Sequence, residues 1–504
     1  RVSHQYDNNP SVLLVEHTYD ELGRLQTDKL DNGIYATDYA YNIRNWLTGI
    51  EGGKFSQSLH YTDGLGVPCY NGNISSMTWK SGAGATPRGY KFSYDRLGRL
   101  TDAEYGEGPS LSVNTNRFNE QVTGYDKMGN ILGLKRYGQT SATGYDVIDD
   151  LSLSYAGNRL KKVADRSTTP AFNNGFEFKD GIDLPTEYEY DENGNLTKDL
   201  NKNITAIQYN CLNLPSRVMF ANGNSISYLY DAAGRKLRTV HVLEGDSVTT
   251  DYCGNVVYEN GVPQIQLTEV GYVSLTDGQY HYYLKDHQGN NRVVVAEHGN
   301  AEEVNDYYAF GGLMSTSSRQ SVQPYKYNGK ELETACGVNW YDYGARRYDP
   351  VLGRWNGVDP LCEDYYSENP YGYCGNNPVN YVDPNGLMKV LYNPDGTYKE
   401  TTHNNWFHNT FMGRQEYIDY GDRKVHLSES EFWQWQRSGS YENVGPVTDF
   451  VSNLELTLNE PAANFADGVA KYMVSSAYSS INSPKVWLTG RSWAGTYATP
   501  DERA

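Results

Sequence analysis

The chain runs to 504 residues with a formal net charge of −19, 38% apolar residues and 13% aromatic ones. Acidity spread along the whole length argues against a general nucleic-acid-binding surface. A ring content this high excludes simple disorder, because disordered chains are poor in aromatics. No apolar stretch approaches the ~18 residues of a membrane-spanning helix.

Among the aromatics, 45 Tyr stand against 13 Phe, and 50 Gly accompany abundant Asn and Asp. That balance fits many short strands, each burying the edge of a ring while its hydroxyl meets a polar partner. Frequent turns then join them. The six cysteines Cys69, Cys211, Cys253, Cys336, Cys362 and Cys374 have neither CxxC nor other metal-ligand spacing. No disulfide framework or metal centre is indicated, and no cofactor is implied. The chain opens on Arg1 and ends, near Leu488 to Ala504, in what reads as the start of another helix. It is therefore expected to be a piece of a longer protein, with any secretion signal outside it.

From the first residues onward one unit recurs: an aromatic–Asp pair, a turn with Gly, Arg or Asn, then an apolar residue. It appears as Tyr19-Asp20-Glu21-Leu22-Gly23-Arg24-Leu25 and again from Tyr94, Tyr125, Tyr190 and Tyr230. Degenerate copies start at Tyr41-Asn42, Tyr155-Ala156 and Tyr209-Asn210. The starts at 19 and 41, 190 and 209, and 209 and 230 set a basic period of about 20 residues, with insertions elsewhere. Alternation ahead of the pair, as in Ser225-Ile226-Ser227-Tyr228-Leu229-Tyr230, is strand periodicity. Each unit thus reads as a β-hairpin whose Asp caps the turn and whose Gly takes the positive φ. Since one hairpin cannot bury its apolar face, the units must stack.

These units resemble the YD repeats of the Rhs and wall-associated protein family, relatives of the C components of ABC toxin complexes and of teneurins. Tyr283-Leu284-Lys285-Asp286-His287-Gln288-Gly289-Asn290, Tyr307-Tyr308-Ala309-Phe310-Gly311 and Tyr327-Asn328-Gly329-Lys330-Glu331 resemble the approach to that family's core domain. Tyr341 to Leu387 resembles the repeat-associated core itself. The resemblance implies a mainly β fold, with stacked hairpins forming part or all of a hollow shell. It also implies three regions: a repeat shell over 1–310, the core over 311–387, and a variable cargo, pre-toxin or toxin region over 388–504.

Pro378-Val379-Asn380-Tyr381-Val382-Asp383-Pro384-Asn385-Gly386-Leu387 is similar to the family's PxxxxDPxGL cleavage signature at every fixed position. The resemblance implies self-cleavage after Leu387, before Met388, by an aspartyl-protease-like pair matching Asp359 and Asp383. The chemistry is sound in itself. Two carboxylates held close cannot both ionise, so one stays protonated and the pair supplies both acid and base. A nearby arginine would hold the charged member and stabilise the oxyanion. Arg354 is the first choice, with Arg346 or Arg347 second. Turn architecture alone also accounts for Asp-Pro-Asn-Gly and for Asp349-Pro350 and Asp359-Pro360. After Asp359 the run Leu-Cys-Glu-Asp-Tyr-Tyr replaces the family's Gly-rich segment, so Asp364 competes as a partner.

Beyond Leu387 the repeat stops. A small hairpin is expected at Asn393-Pro394-Asp395-Gly396, a short helix from Ser428 to Arg437, and two amphipathic helices from Val447 to about Ile481, broken at Pro461. His403, His408 and His426 lack a carboxylate at fixed spacing and read as ordinary histidines.

The favoured reading is a secreted or cell-surface bacterial toxin protein serving competition, whose shell encloses a C-terminal effector freed by self-cleavage. Its partners would be that cargo and a secretion component, an immunity protein or surface carbohydrate, with no nucleic acid bound by the shell. Whether the chain is an enzyme turns on whether the core cuts. The alternative is a non-enzymatic surface repeat protein that binds carbohydrate or a partner through its aromatic face. An ordinary secreted enzyme such as a glycosidase lacks an identifiable acid pair outside the core.

Overall fold

A computed structural model of the chain describes residues 1–5, 11–82, 84–172, 175–297, 299, 301–318, 323–364, 366–387, 389, 417–419 and 424–426. The chain forms two compact units, Arg1–Asp395 and Gly396–Ala504. In the second, only an antiparallel pair, Tyr417–Asp419 with Lys424–His426, is described. The hairpin and helices expected after Leu387 lie outside the described residues, as do His403 and His408.

In the first unit the expected Tyr-Asp turns close in the same way. At Asp20 one carboxylate oxygen accepts the N–H groups of Leu22 and Arg24, both at 2.9 Å, while the other takes Arg24 Nε at 2.7 Å. Asp95, Asp126 and Asp231 repeat this pattern with Arg99, Asn130 and Arg235. Four residues after each Tyr the backbone turns left-handed, at φ +75° for Gly23, +78° for Gly98 and +82° for Gly129. A side chain would be strained there. In the degenerate copies Asn45 and Asn213 take that conformation at +60° and +58°, being among the few other residues that tolerate it. A further copy emerges at Lys285-Asp286-His287-Gln288-Gly289-Asn290, with the same Asp cap and Gly289 at +75°, and Lys in place of Tyr.

The excess of Tyr over Phe has a direct cause. Six of the repeat tyrosines donate their hydroxyls to a carbonyl at or just before the start of the return strand of an earlier hairpin. The pairs are Tyr41 to Leu25, Tyr94 to Ile74, Tyr125 to Leu100, Tyr155 to Ile131, Tyr209 to Leu196 and Tyr230 to Pro215, at 2.5–3.0 Å. The turn arginine of one unit covers the ring of the next, Arg24 over Tyr41 at 4.7 Å and Arg99 over Tyr125 at 4.3 Å.

Hairpins joined in this way build two antiparallel sheets of thirteen strands in strict chain order. One runs from Val2–His4 to Arg159–Asp165, the other from Tyr188–Tyr190 to Ala301–Val304. Among the described residues there is no α-helix, and no helix is long and apolar enough to cross a membrane. The mainly β fold of stacked hairpins is as expected. Because each strand pairs with the next, alternate turns fall on one rim of each sheet, and the Tyr-Asp turns share that rim. Buried ion pairs tie the sheets together. Asp306, after the last strand of the second sheet, takes Trp79 Nε1 and Arg292 at 2.7 Å each, together with Arg88 from the first.

A small sheet follows, of strands Glu331–Glu333, Trp340–Asp342, Arg347–Asp349 and Arg354–Trp355. Its rings Tyr341, Tyr348 and Trp355 pack with Tyr327 and Tyr373, all 2% exposed or less, and join the buried cluster of both large sheets. Removing one rung of the tyrosine ladder is expected to weaken the wall without disrupting packing. Tyr125→Phe should lower stability by about 1 kcal/mol, read as a lower chemical-denaturation midpoint.

Candidate active site

The segment leading to the signature is laced to the shared rim by side-chain amides. Asn369 reaches Asn130 at 2.6 Å, Asn376 the Gly129 carbonyl at 2.8 Å, and Asn377 the Gly98 carbonyl at 2.9 Å. Asn380 contacts Tyr94 Oη at 3.1 Å and accepts the Ile74 N–H at 2.9 Å. From the second sheet, His287 Nε2 donates to the Val379 carbonyl at 3.0 Å and Gln288 to that of Tyr381 at 3.2 Å. Turns that are distant in sequence therefore hold one strip of chain, and that strip ends at Asp383.

Asp383 is 2% exposed, and its hydrogen bonds come from backbone N–H groups and a guanidinium. One oxygen accepts the N–H groups of Asn385, Gly386 and Leu387 at 3.2, 2.7 and 3.0 Å. The Asp-Pro-Asn-Gly segment is thus a capped turn, with Gly386 at φ +81°. A Cβ on Gly386 would lie 3.0 Å from the Arg346 backbone nitrogen, so the turn needs glycine on two grounds. The other Asp383 oxygen lies 3.4 Å from Arg346 Nη2, which also bonds Asp359 at 2.8 Å. One guanidinium nitrogen therefore serves both carboxylates. Arg346 Nε donates to the Gly386 carbonyl at 2.6 Å and Nη1 to that of Pro370 at 3.1 Å. Its plane rests on Trp355, 4.2 Å from the ring centre.

Arg354, the first choice from sequence, lies elsewhere. It donates to the Asn158 carbonyl at 3.0 Å and sits between the rings of Tyr155 and Tyr371, 5.1 Å from each. Adjacent strand residues point to opposite faces. Trp355 turns toward Arg346, so Arg354 turns away. Arg347 pairs with Asp342 and reaches Tyr230 Oη at 3.1 Å. Asp364 falls in the 3-10 turn Cys362–Asp364, and its side chain is outside the described residues. Leu387 is buried at 6% exposure; Met388 lies outside the described residues.

Burial pushes the Asp359 carboxyl up to about 6, and the charge of Asp383 adds to the rise, against the pull of Arg346 and the Leu361 N–H. A cleft of about 30 Å³ opens between Arg346, Trp355, Asp359 and Asp383, with Cys362, Glu368, Cys374 and Lys389 in its walls. That is room for a water or two. A larger cavity of about 630 Å³, lined by Phe176, Phe178, Asn201 and Lys326 among others, shares no residue with this cleft. Among the described residues no group of His, Cys, Asp or Glu is placed to hold a metal ion.

No family model matches the chain. Among curated proteins it is 25% identical over 451 residues to toxin subunit YenC1 of Yersinia entomophaga, covering 77% of this chain and 44% of that one. It is 26% identical over 401 residues to the tRNA3(Ser)-specific nuclease WapA of Bacillus spizizenii, covering 73% and 14%. These relatives are consistent with the resemblance to the Rhs/YD-repeat family. A third relative, salivary gland surface protein 1 of Aedes aegypti, is 30% identical over 227 residues, covering 40% of this chain and 7% of the mosquito protein. The chain thus spans less than half the length of each of these relatives. The crystal structure of TcdB2-TccC3-TEV aligns with 75% of this chain and 21% of its own, at 17% identity and a TM-score of 0.46.

A carboxyl raised on folding binds its proton more tightly in the folded state than in the unfolded one. The stability it confers is complete below the ordinary value of 3.8 and is lost as pH rises through about 6. Between pH 4 and 6 the parent should therefore lose about 2 kcal/mol relative to Asp359→Asn. Denaturation midpoints of the two across that range check this.

Proposed function

We propose that this is the wall and core of a secreted toxin-type protein, and that the core hydrolyses its own Leu387–Met388 bond. The observation that carries the reading is Arg346. It contacts both carboxylates of the pair, Asp359 and Asp383, and the Gly386 carbonyl, one residue before the bond. The names of the relatives, a toxin subunit and a tRNA nuclease, support a toxic cargo after residue 387.

In this mechanism Asp383, which accepts three backbone N–H groups, acts as the carboxylate that takes a proton from the cleft water. The resulting hydroxide adds to the Leu387 carbonyl, and the Arg346 guanidinium balances the negative charge that develops. Asp359, held protonated by burial, gives its proton to the Met388 nitrogen as the C–N bond breaks. The products are a carboxylate on Leu387 and an amine on Met388, and the carboxyl pair exchanges its proton with solvent to reset. The wall then holds the freed segment without a covalent tie. Secretion, immunity and carbohydrate partners belong to the same reading.

The full chain, followed by denaturing gel and intact mass, should yield a fragment beginning at Met388. Asp383→Asn should reduce cutting by at least ~100-fold. The rate should fall as pH rises through about 6, where Asp359 loses its proton. A folded, uncut parent would favour the non-enzymatic surface protein instead.

A further inference from the structure

The cleft contains an ion pair that the carboxylate chemistry does not use. Lys389, the second residue past the bond, pairs through its ammonium with Glu368, and the same nitrogen sits 5.3 Å from the centre of the Tyr381 ring. Both members of the pair line the cleft shared by Asp359, Asp383 and Arg346. Gly375 makes the space. It has φ +60°, and a Cβ there would lie 2.5 Å from Lys389 Nζ and 3.3 Å from Glu368 Oε2. The three parts come from separate stretches of the core: Glu368 precedes the rim-laced strip, Gly375 lies within it, and Tyr381 lies inside the signature. The contacts on the near side of the bond, by contrast, go to backbone: Arg346 to Gly386, and Asp383 to Gly386 and Leu387. On the far side, the contact is to a side chain, and it is selective for a cation.

We infer that Glu368 and Tyr381 form a specificity pocket for a cationic side chain at the second position after the cut, which seats the leaving segment in line with the carboxyl pair. The inference rests on the cleavage reading above. Glu368 and Tyr381 are positioning residues; neither touches the reacting atoms. The two charged side chains are 34% and 27% exposed, so their attraction is sensitive to salt.

The test is a cleavage time course of the full 504-residue chain, begun after cell-free translation is stopped. Glu368→Gln and Lys389→Glu should each slow cutting roughly 5- to 10-fold, and the exchanged pair Glu368→Lys with Lys389→Glu should recover most of the loss. About 1 M NaCl should slow the parent to the Glu368→Gln rate and leave that variant unchanged. A merely structural ion pair would lower the denaturation midpoints of the single variants along with their cutting, whereas the pocket leaves the midpoints unchanged and slows cutting alone. Single variants that cut at the parent's rate, or an exchanged pair slower than either single variant, would overturn the pocket while leaving self-cleavage intact. A parent that folds and never cuts overturns both.

Discussion

The wall depends on a buried tyrosine hydroxyl finding a main-chain carbonyl of an earlier hairpin. A hairpin in water is marginal, and stacking many of them leaves ring edges and strand ends to be satisfied at every step. The hydroxyl does both: the ring fills the layer while the oxygen donates to the point where the earlier return strand begins. Phe could fill the volume but would leave the carbonyl unpaired, so the chain carries 45 Tyr and 13 Phe. The Asp cap and the arginine over the next ring reinforce the same contact from the turn side.

This construction has a consequence for the core. Capped turns in register on one rim expose a row of carbonyls, at Gly98, Gly129, Asn158 and Gly194 among them. Core side chains use them as acceptors: Asn377, Asn376, Arg354 and Tyr371 each take one. The wall thus serves as a template on which an otherwise irregular stretch becomes rigid. Rigidity matters because a carboxyl pair sharing one guanidinium nitrogen needs the backbone of three separated segments held to a fraction of an ångström. Arg354 takes part here as a structural residue, fastening the core to the Asn158 turn.

Arg346 closes the system. Two carboxylates buried side by side repel each other and lose most of their hydration, and one cation seated on Trp355 offsets both penalties only in part. The remainder appears in the Asp359 carboxyl, which is pushed up to about 6. The same imbalance that destabilises the ion cluster leaves an acid and an acceptor facing one small cleft.

The turn unit was legible in the sequence because all its partners lie within seven residues: Asp20 needs only Leu22, Arg24 and Gly23. Repetition then determined a stack of hairpins, and the family resemblance implied Asp359 and Asp383. Other features arise from contacts between distant segments. Lys285 in the tyrosine position hid a further turn, whose Asp and Gly nonetheless behave like the rest. The choice between Arg346 and Arg354 depended on strand alternation around Trp355, which proximity in sequence does not convey. The division into two sheets and the amide lacing across both belong to the tertiary structure alone, because each joins residues hundreds of positions apart whose approach no local pattern encodes.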